Sequence, residues 1–459
     1  MKQEHSLIRG LGPLGSASMV VGTIIGTGIF LVPSTIAMEV KSVGLVFLVW
    51  VVAGLLSLAG ALSYAELGAA LPEAGGEYVY LRRAYGPLWG FLYGWEQFVI
   101  GKTGSVASLA AAFTVFLSFF FKPLQEDFVQ LSLGSFGWSL TGGQLVAIAA
   151  IASLTLINYF GVVVGGAVQT VLTVMKVAVV LTLAALALAI GGGDWSHFSS
   201  FSQSSAQGVA VSAFGLALLS AFWAYDGWNN LAMVGGEVRD PERNIPRALI
   251  YGTGGVMLVY LLVNVAYFYI LPLEDVAGPT GKVQVAQVMA RSFLGEWGAI
   301  LITLGALIST YATLNAAILS GARVPYAMAR DRLFFRHMAD VHPVHRAPAK
   351  ALLLQAAIAC LLVLIFQGDF DRLIRYTLFG LWIFYGMTTA SVFVLRRKDP
   401  TLPRPYRTLG YPWVPGIFVV MATVICLNTL YSTPKEAGLG LLFLAAGLPF
   451  YWFWQRRAR

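Results

Sequence analysis

The chain has 459 residues, 58% of them hydrophobic and only 11% charged. Water-soluble domains carry about 25% charged residues, so a soluble protein is excluded and a polytopic membrane protein is indicated, with apolar runs of about 20 residues as its spans. The net charge of +8 is explained by its distribution over the loops rather than by a nucleic-acid partner.

In chain order, the first ten residues form a short polar tail, followed by an apolar run too long for a cleaved signal core. Twelve spans are read near 11–38, 43–70, 86–121, 143–160, 165–190, 208–235, 246–272, 293–328, 349–367, 370–396, 413–432 and 435–455. The first contains Gly22-Thr23-Ile24-Ile25-Gly26-Thr27-Gly28-Ile29-Phe30. Each glycine costs a helix about 0.5–1 kcal/mol relative to alanine. In lipid, backbone groups freed from a helix must find other partners. Gly22 and Gly26 have the four-residue spacing of a close-packing face. Gly26 and Gly28 cannot share a face, which favours a broken helix.

A second interruption, Ala224-Tyr225-Asp226-Gly227-Trp228-Asn229-Asn230, follows about 200 residues later. An acid at a membrane-helix centre costs roughly 2.5–3.5 kcal/mol. Two interrupted helices in corresponding positions of two halves mark the binding site of an inverted-repeat transporter.

The loops around 73–85, 236–247, 329–349 and 398–412 are the longest candidates for ordered structure outside the membrane. Sorting basic residues by the twelve spans puts 21 on the side of both termini and 7 on the other, with Lys102 and Lys176 inside spans. The positive-inside rule then makes the termini cytoplasmic. All five histidines (His5, His197, His337, His342, His345) fall in loops or the tail, so an intramembrane histidine relay or metal centre is unsupported. The two cysteines, Cys360 and Cys426, lie in apolar runs, away from an external disulfide or metal site.

Five stretches, 22–30, 64–81, 222–230, 236–250 and 322–334, resemble the amino acid–polyamine–organocation (APC) superfamily and its L-type amino acid transporter branch. The order and spacing fit over nearly the whole chain. The resemblance implies an all-α protein with twelve transmembrane helices and a LeuT-type five-plus-five inverted repeat. Helices 1 and 6 would be broken and two extra helices appended. The parts would be a tail at 1–10, a first repeat at 11–190, a second at 208–396, helices 11 and 12 at 413–455, and a tail at 456–459.

In that branch a free amino acid lies between the two breaks. The resemblance assigns Ile24, Ile25, Gly26, Thr27 and Gly28 from the first, and Phe222, Trp223, Ala224 and Asp226 from the second. A half-helix starting near Gly28 would meet the substrate carboxylate with free N–H groups and its positive dipole end, and Thr27 would add a hydroxyl. Carbonyls near Ile24 and at Trp223 and Asp226 would accept from the ammonium. Trp223 would be an aromatic gate; an interior or belt tryptophan is the structural alternative.

Asp226 departs from the small residue common in animal members and matches the YDGW form of bacterial serine/threonine-type and alanine-type exchangers. It is read as a cap on the second half-helix, with a counter-ion for cationic side chains as the alternative. The resemblance implies that Lys176 would take the place of sodium in sodium-coupled relatives, with Ser309 as the matching position on the eighth span; snorkelling to the interface is the structural alternative. Lys102 matches a basic position without an assigned role. Glu66 and Glu96 are read as structural partners near the membrane ends, and Glu237, Arg239, Arg243 and Arg247 as a cytoplasmic latch.

The resulting reading is a sodium-independent exchanger of small neutral L-amino acids in the cell (inner) membrane, without cofactor, metal or nucleic-acid partner. Animal members pair with a single-span glycoprotein through an external cysteine. The stretch 122–144 contains none, so no disulfide-linked heavy chain is expected. A cationic amino acid or polyamine exchanger is the first rival. A sensor, channel or membrane enzyme ranks lower, since neither paired intramembrane carboxylates nor a cysteine beside a base is found in the sequence.

Overall fold

The computed structural model describes residues 6–133, 136–201, 211–278, 284–368 and 370–458. Helix α1 (Pro13–Ile24) stops and α2 (Gly28–Val40) restarts inside the first apolar run, leaving Ile25, Gly26 and Thr27 between them. α3 (Val43–Ala70) crosses unbroken. An amphipathic α4 (Glu77–Tyr85) leads into α5 (Pro87–Glu96), a π-helical turn (Gln97–Gly101) and α6 (Lys102–Leu117). An antiparallel hairpin, β1 (Asp127–Leu133) and β2 (Phe136–Thr141), precedes α7 (Gly142–Tyr159) and α8 (Val162–Ile190).

α9 (Val211–Tyr225) ends at the second interruption, and α10 (Asn230–Met233) is a single turn beyond it. Then come α11 (Pro241–Ile270), the short α12 (Leu273–Val276) and α13 (Val285–Leu294), α14 (Glu296–Gly321) and α15 (Arg323–Arg330). α16 (Ala349–Ile365), α17 (Phe370–Lys398), α18 (Trp413–Ser432) and α19 (Pro434–Ala458) complete the chain.

Among the described residues nine helical segments are long and apolar enough to cross a membrane, and α16 is a shorter apolar helix. The protein is an all-helical polytopic membrane protein but for the hairpin, which alternation in 127–141 did not announce. Local chemistry sets its junction with α7: Thr141 accepts from the Gln144 N–H and Gln144 accepts from the Thr141 N–H, a capping box. Trp138 donates to the Leu364 carbonyl, 2.9 Å, tying the hairpin to α16. Of the span expected at 208–235, residues 208–210 lie outside the described residues; the rest is α9, the break and α10.

The broken first run lies at the centre. Its most apolar window is 78% buried within the protein, against 22% for α18 and for Ala437–Arg457 of α19. α1 packs on α8, α11 and α14, and α2 on α9. The outer helices expose large apolar side chains such as Val171, Val420, Val424 and Leu442, as lipid-facing surfaces do. Loops assigned to one side of the membrane touch one another. Arg82 of α4 pairs with Asp331, Tyr78 donates to the same carboxylate at 2.7 Å, and Arg83 pairs with Asp399.

Candidate functional site

The two breaks meet at backbone distance. A Cβ on Gly28 would lie 2.8 Å from Cα of Ala224. Gly227, at φ +113°, closes on Thr23. The Tyr260 hydroxyl of α11 lies 2.8 Å from the Ile24 carbonyl and 3.0 Å from that of Ala224, its one proton shared between the two breaks. Ile24 O also accepts the Gly26 N–H at 2.8 Å. The Ile24 carbonyl, expected to be open to a substrate ammonium, is therefore already engaged by two donors. Trp223 O takes the Asp226 N–H at 3.3 Å.

A cavity of about 120 Å³ lies between the breaks. One water needs roughly 10–15 Å³, so it has room for several waters or one small solute. Ile24, Gly26, Thr27 and Gly28 line it from the first break, and Trp223, Ala224, Asp226 and Asn230 from the second. Gln97 and Lys102 come from the π turn and α6, Thr313 from α14, and Tyr385 from α17. Two expected residues do not face it. Ile25 is fully buried in the core, and the Phe222 ring packs on Trp382 with centroids 5.4 Å apart. Thr27 is the N-cap of α2 and its side chain makes no cap bond, and the Phe30 N–H turns back to the Thr27 carbonyl at 3.1 Å, which leaves the hydroxyl and the N–H groups of Gly28 and Ile29 to a ligand. A Cβ on Gly26 would meet nothing nearer than Thr313 Oγ1 at 3.6 Å, so this glycine keeps cavity space rather than a packing contact.

Asp226 is not a cap. α10 begins at Asn230, its N-cap is Asn229, and no side chain caps it. The Asp226 carboxylate instead accepts the Tyr385 hydroxyl at 2.7 Å on the cavity wall. Tyr385 carries no motif of its own and was not foreseen.

Beside the cavity the first break releases carbonyls that a helix would have used. The fully buried Lys176 takes them. Its Nζ lies 2.6 Å from Gly22 O and from Ile25 O, 3.2 Å from Ser309 O and 3.3 Å from Thr313 Oγ1. The Ser309 hydroxyl lies 3.0 Å from Ile25 O and 3.2 Å from Gly26 O. This all-oxygen set of carbonyls and hydroxyls is the kind that hard cations take, and here the ammonium fills it. Thr313 was missed, although it stands one turn after Ser309 on the same face.

A sequence model of the amino acid permease family matches residues 11–450. The chain belongs to that family. This permease is 32% identical to the serine/threonine exchanger SteT of Bacillus subtilis, over 99% of both chains. It is 31% identical to the b(0,+)-type amino acid transporter 1 of Mus musculus, over 97% of this chain and 88% of the relative. The human cystine/glutamate transporter is 27% identical over 100% of this chain and 87% of its own. These relatives are transporters and exchangers, not enzymes, and the permease is a multi-pass amino acid transporter of the same family.

A buried polar network continues from the permease cavity. Lys102 donates to Asn230 Oδ1, which also accepts from Ser320 at 2.8 Å. Asn229 donates to Glu77 at 2.7 Å. Burial pushes the Glu77 carboxyl above its usual range. Glu66 pairs with Arg396 at 2.6 Å and accepts the Thr408 N–H at 2.7 Å. The expected latch has a different partner: Glu237 pairs with Arg323 at 2.6 Å, both fully buried, while Arg239 donates to the Arg9 carbonyl. Arg323 lies in the quoted 322–334 stretch, but nothing in its spacing ties it to Glu237.

Proposed function

We propose that this permease is a sodium-independent exchanger of small neutral L-amino acids, working by alternating access. The observation that carries the reading is the cavity held between two helix breaks, with the start of α2, uncapped by any side chain, on one side. The substrate carboxylate lies at the start of α2, held by first-turn N–H groups and the Thr27 hydroxyl. The ammonium points toward the carbonyl end of α9 near Trp223, and the side chain toward α6 and α17. Trp223, partly exposed at the rim, is the gate. The small volume favours small side chains.

The ammonium of Lys176 does what a bound sodium ion does in sodium-coupled carriers: it ties the first break to the eighth span. Twelve spans, with repeats at 11–190 and 208–396 and two added helices at 413–455, account for the breaks standing in corresponding positions. Both termini then lie on the cytoplasmic side of the cell (inner) membrane, a sidedness supported by the basic loops and by their mutual contacts. With no cysteine in 122–144, no disulfide-linked heavy chain is required.

One observation favours a second reading, exchange of cationic amino acids. Asp226 faces the cavity and is free of capping duty. Reconstituted protein separates the two. Labelled alanine or serine enters only liposomes preloaded with amino acid under the first reading. Uptake of arginine with none of alanine would replace it by the second.

A further inference from the structure

Beside the cavity one buried cation stands among three buried carboxyl groups. Asp226, Glu77 and Glu96 all interact electrostatically with Lys102. Among the described residues the other interior cations are committed elsewhere: Lys176 to carbonyls, Arg323 to Glu237, and Arg396 and Arg404 to Glu66. Three ionised carboxylates against one ammonium leave two charges uncompensated in a low-dielectric interior, and such groups take up protons instead.

The hydrogen bonds sort the three. Asp226 has the Tyr385 hydroxyl as donor. Glu77 accepts from Asn229 through Oε1, and Glu96 accepts from Gln97 through Oε2 at 2.8 Å. The second oxygens of Glu77 and Glu96 are buried with no partner among the described residues. Glu77 is enclosed by the tyrosines Tyr64, Tyr80 and Tyr93 and does not line the cavity. Glu96 is one residue from it, because its donor Gln97 is part of the cavity wall.

Glu96 is 2% exposed. Among the described residues the titratable groups around it are Lys102 on α6, Glu77 on α4 and Tyr93 on α5, while α17 meets it through Gly380. On its other side, among the described residues, α19 lines a cavity of about 450 Å³ with apolar residues such as Leu442, Phe443 and Ala446. That side provides no counter-charge.

We propose that Glu96 is the proton site of this permease and that one proton binds together with the amino acid. The inference rests on the amino acid transport reading. In the loaded carrier the two breaks are drawn together, Asn230 holds Lys102, and Glu96 keeps its proton. In the empty carrier α10 loosens and Asn230 releases Lys102. The ammonium then pairs with Glu96, whose proton leaves through the open cavity to water. Gln97 is the positioning residue between cavity and carboxyl.

The test is substrate affinity against pH, with the purified full chain and labelled alanine or serine. One proton taken up per substrate bound weakens affinity by about tenfold per pH unit above the empty-state transition. Glu96→Gln, which keeps the Gln97 bond, is expected to bind with an affinity that no longer varies with pH. Wild-type binding that is flat from mildly acidic to alkaline pH overturns the proposal, whatever the variant does. A slope of the wild-type size retained in Glu96→Gln moves the site elsewhere and overturns it equally. Absence of any amino acid binding by the wild type would strike the transport reading instead.

Discussion

Gly26 and Gly28 are two residues apart and are glycine for different reasons. Gly28 touches the backbone of Ala224, so Gly28→Ala overpacks the junction of the two breaks. It is expected to cost about 1–3 kcal/mol, read as a lower melting temperature in detergent. Gly26→Ala meets only an ordinary contact at 3.6 Å. Its melting temperature should stay near wild type while exchange falls by about tenfold or more, equivalent to about 1.4 kcal/mol of binding. Exchange surviving Gly26→Ala would show that the space is not the substrate's. Lys176 is the other decisive residue. Lys176→Met removes the ammonium shared by the carbonyls of Gly22, Ile25 and Ser309 and leaves them only the Ser309 and Thr313 hydroxyls, at about 1–3 kcal/mol for each group left unpaired. The expected outcome is a clearly destabilised protein with no exchange, and a melt like wild type would contradict the role given to the ammonium.

At the scale of elements, the broken helices were legible because glycine and an acid in apolar runs conflict with the physics of lipid. The boundaries of α3 and α18, 43–70 and 413–432, were readable to the residue from apolar content and flanking breakers. The partners of the buried charges were not. Glu237 and Arg323 are 86 residues apart, and pairing over that distance is a product of packing, not of local pattern. The π turn at Gln97–Gly101, which separates Glu96 from Lys102, leaves no periodic trace either. The Glu237–Arg323 pair offers a clean measurement. Arg323→Met alone leaves a buried carboxylate and should cost about 3–5 kcal/mol. Adding Glu237→Met should recover most of that loss in a thermal melt, whereas simple additivity of the two changes would show that the pair is not coupled.

Over the whole molecule, alternating access needs a rigid surround and a small moving centre. The 78% burial of the first broken run, against 22% for α18, has this form. The centre is joined by few but specific bonds: Tyr260 across both breaks, Lys176 from the first break to α14, and Lys102 to the second. The membrane class was written in composition, and the positions of spans such as α3 and α18 in the apolar runs. Which side chains close the cavity was not, since Tyr385, Thr313 and Gln97 reach it from three separate segments. The central claim is that a fixed ammonium does the work of a sodium ion between two broken helices. It is tested most directly by counterflow of labelled alanine or serine into amino acid-loaded proteoliposomes, in sodium and then in choline medium. Equal rates in the two media are the expected result. Uptake that disappears without sodium would contradict the account.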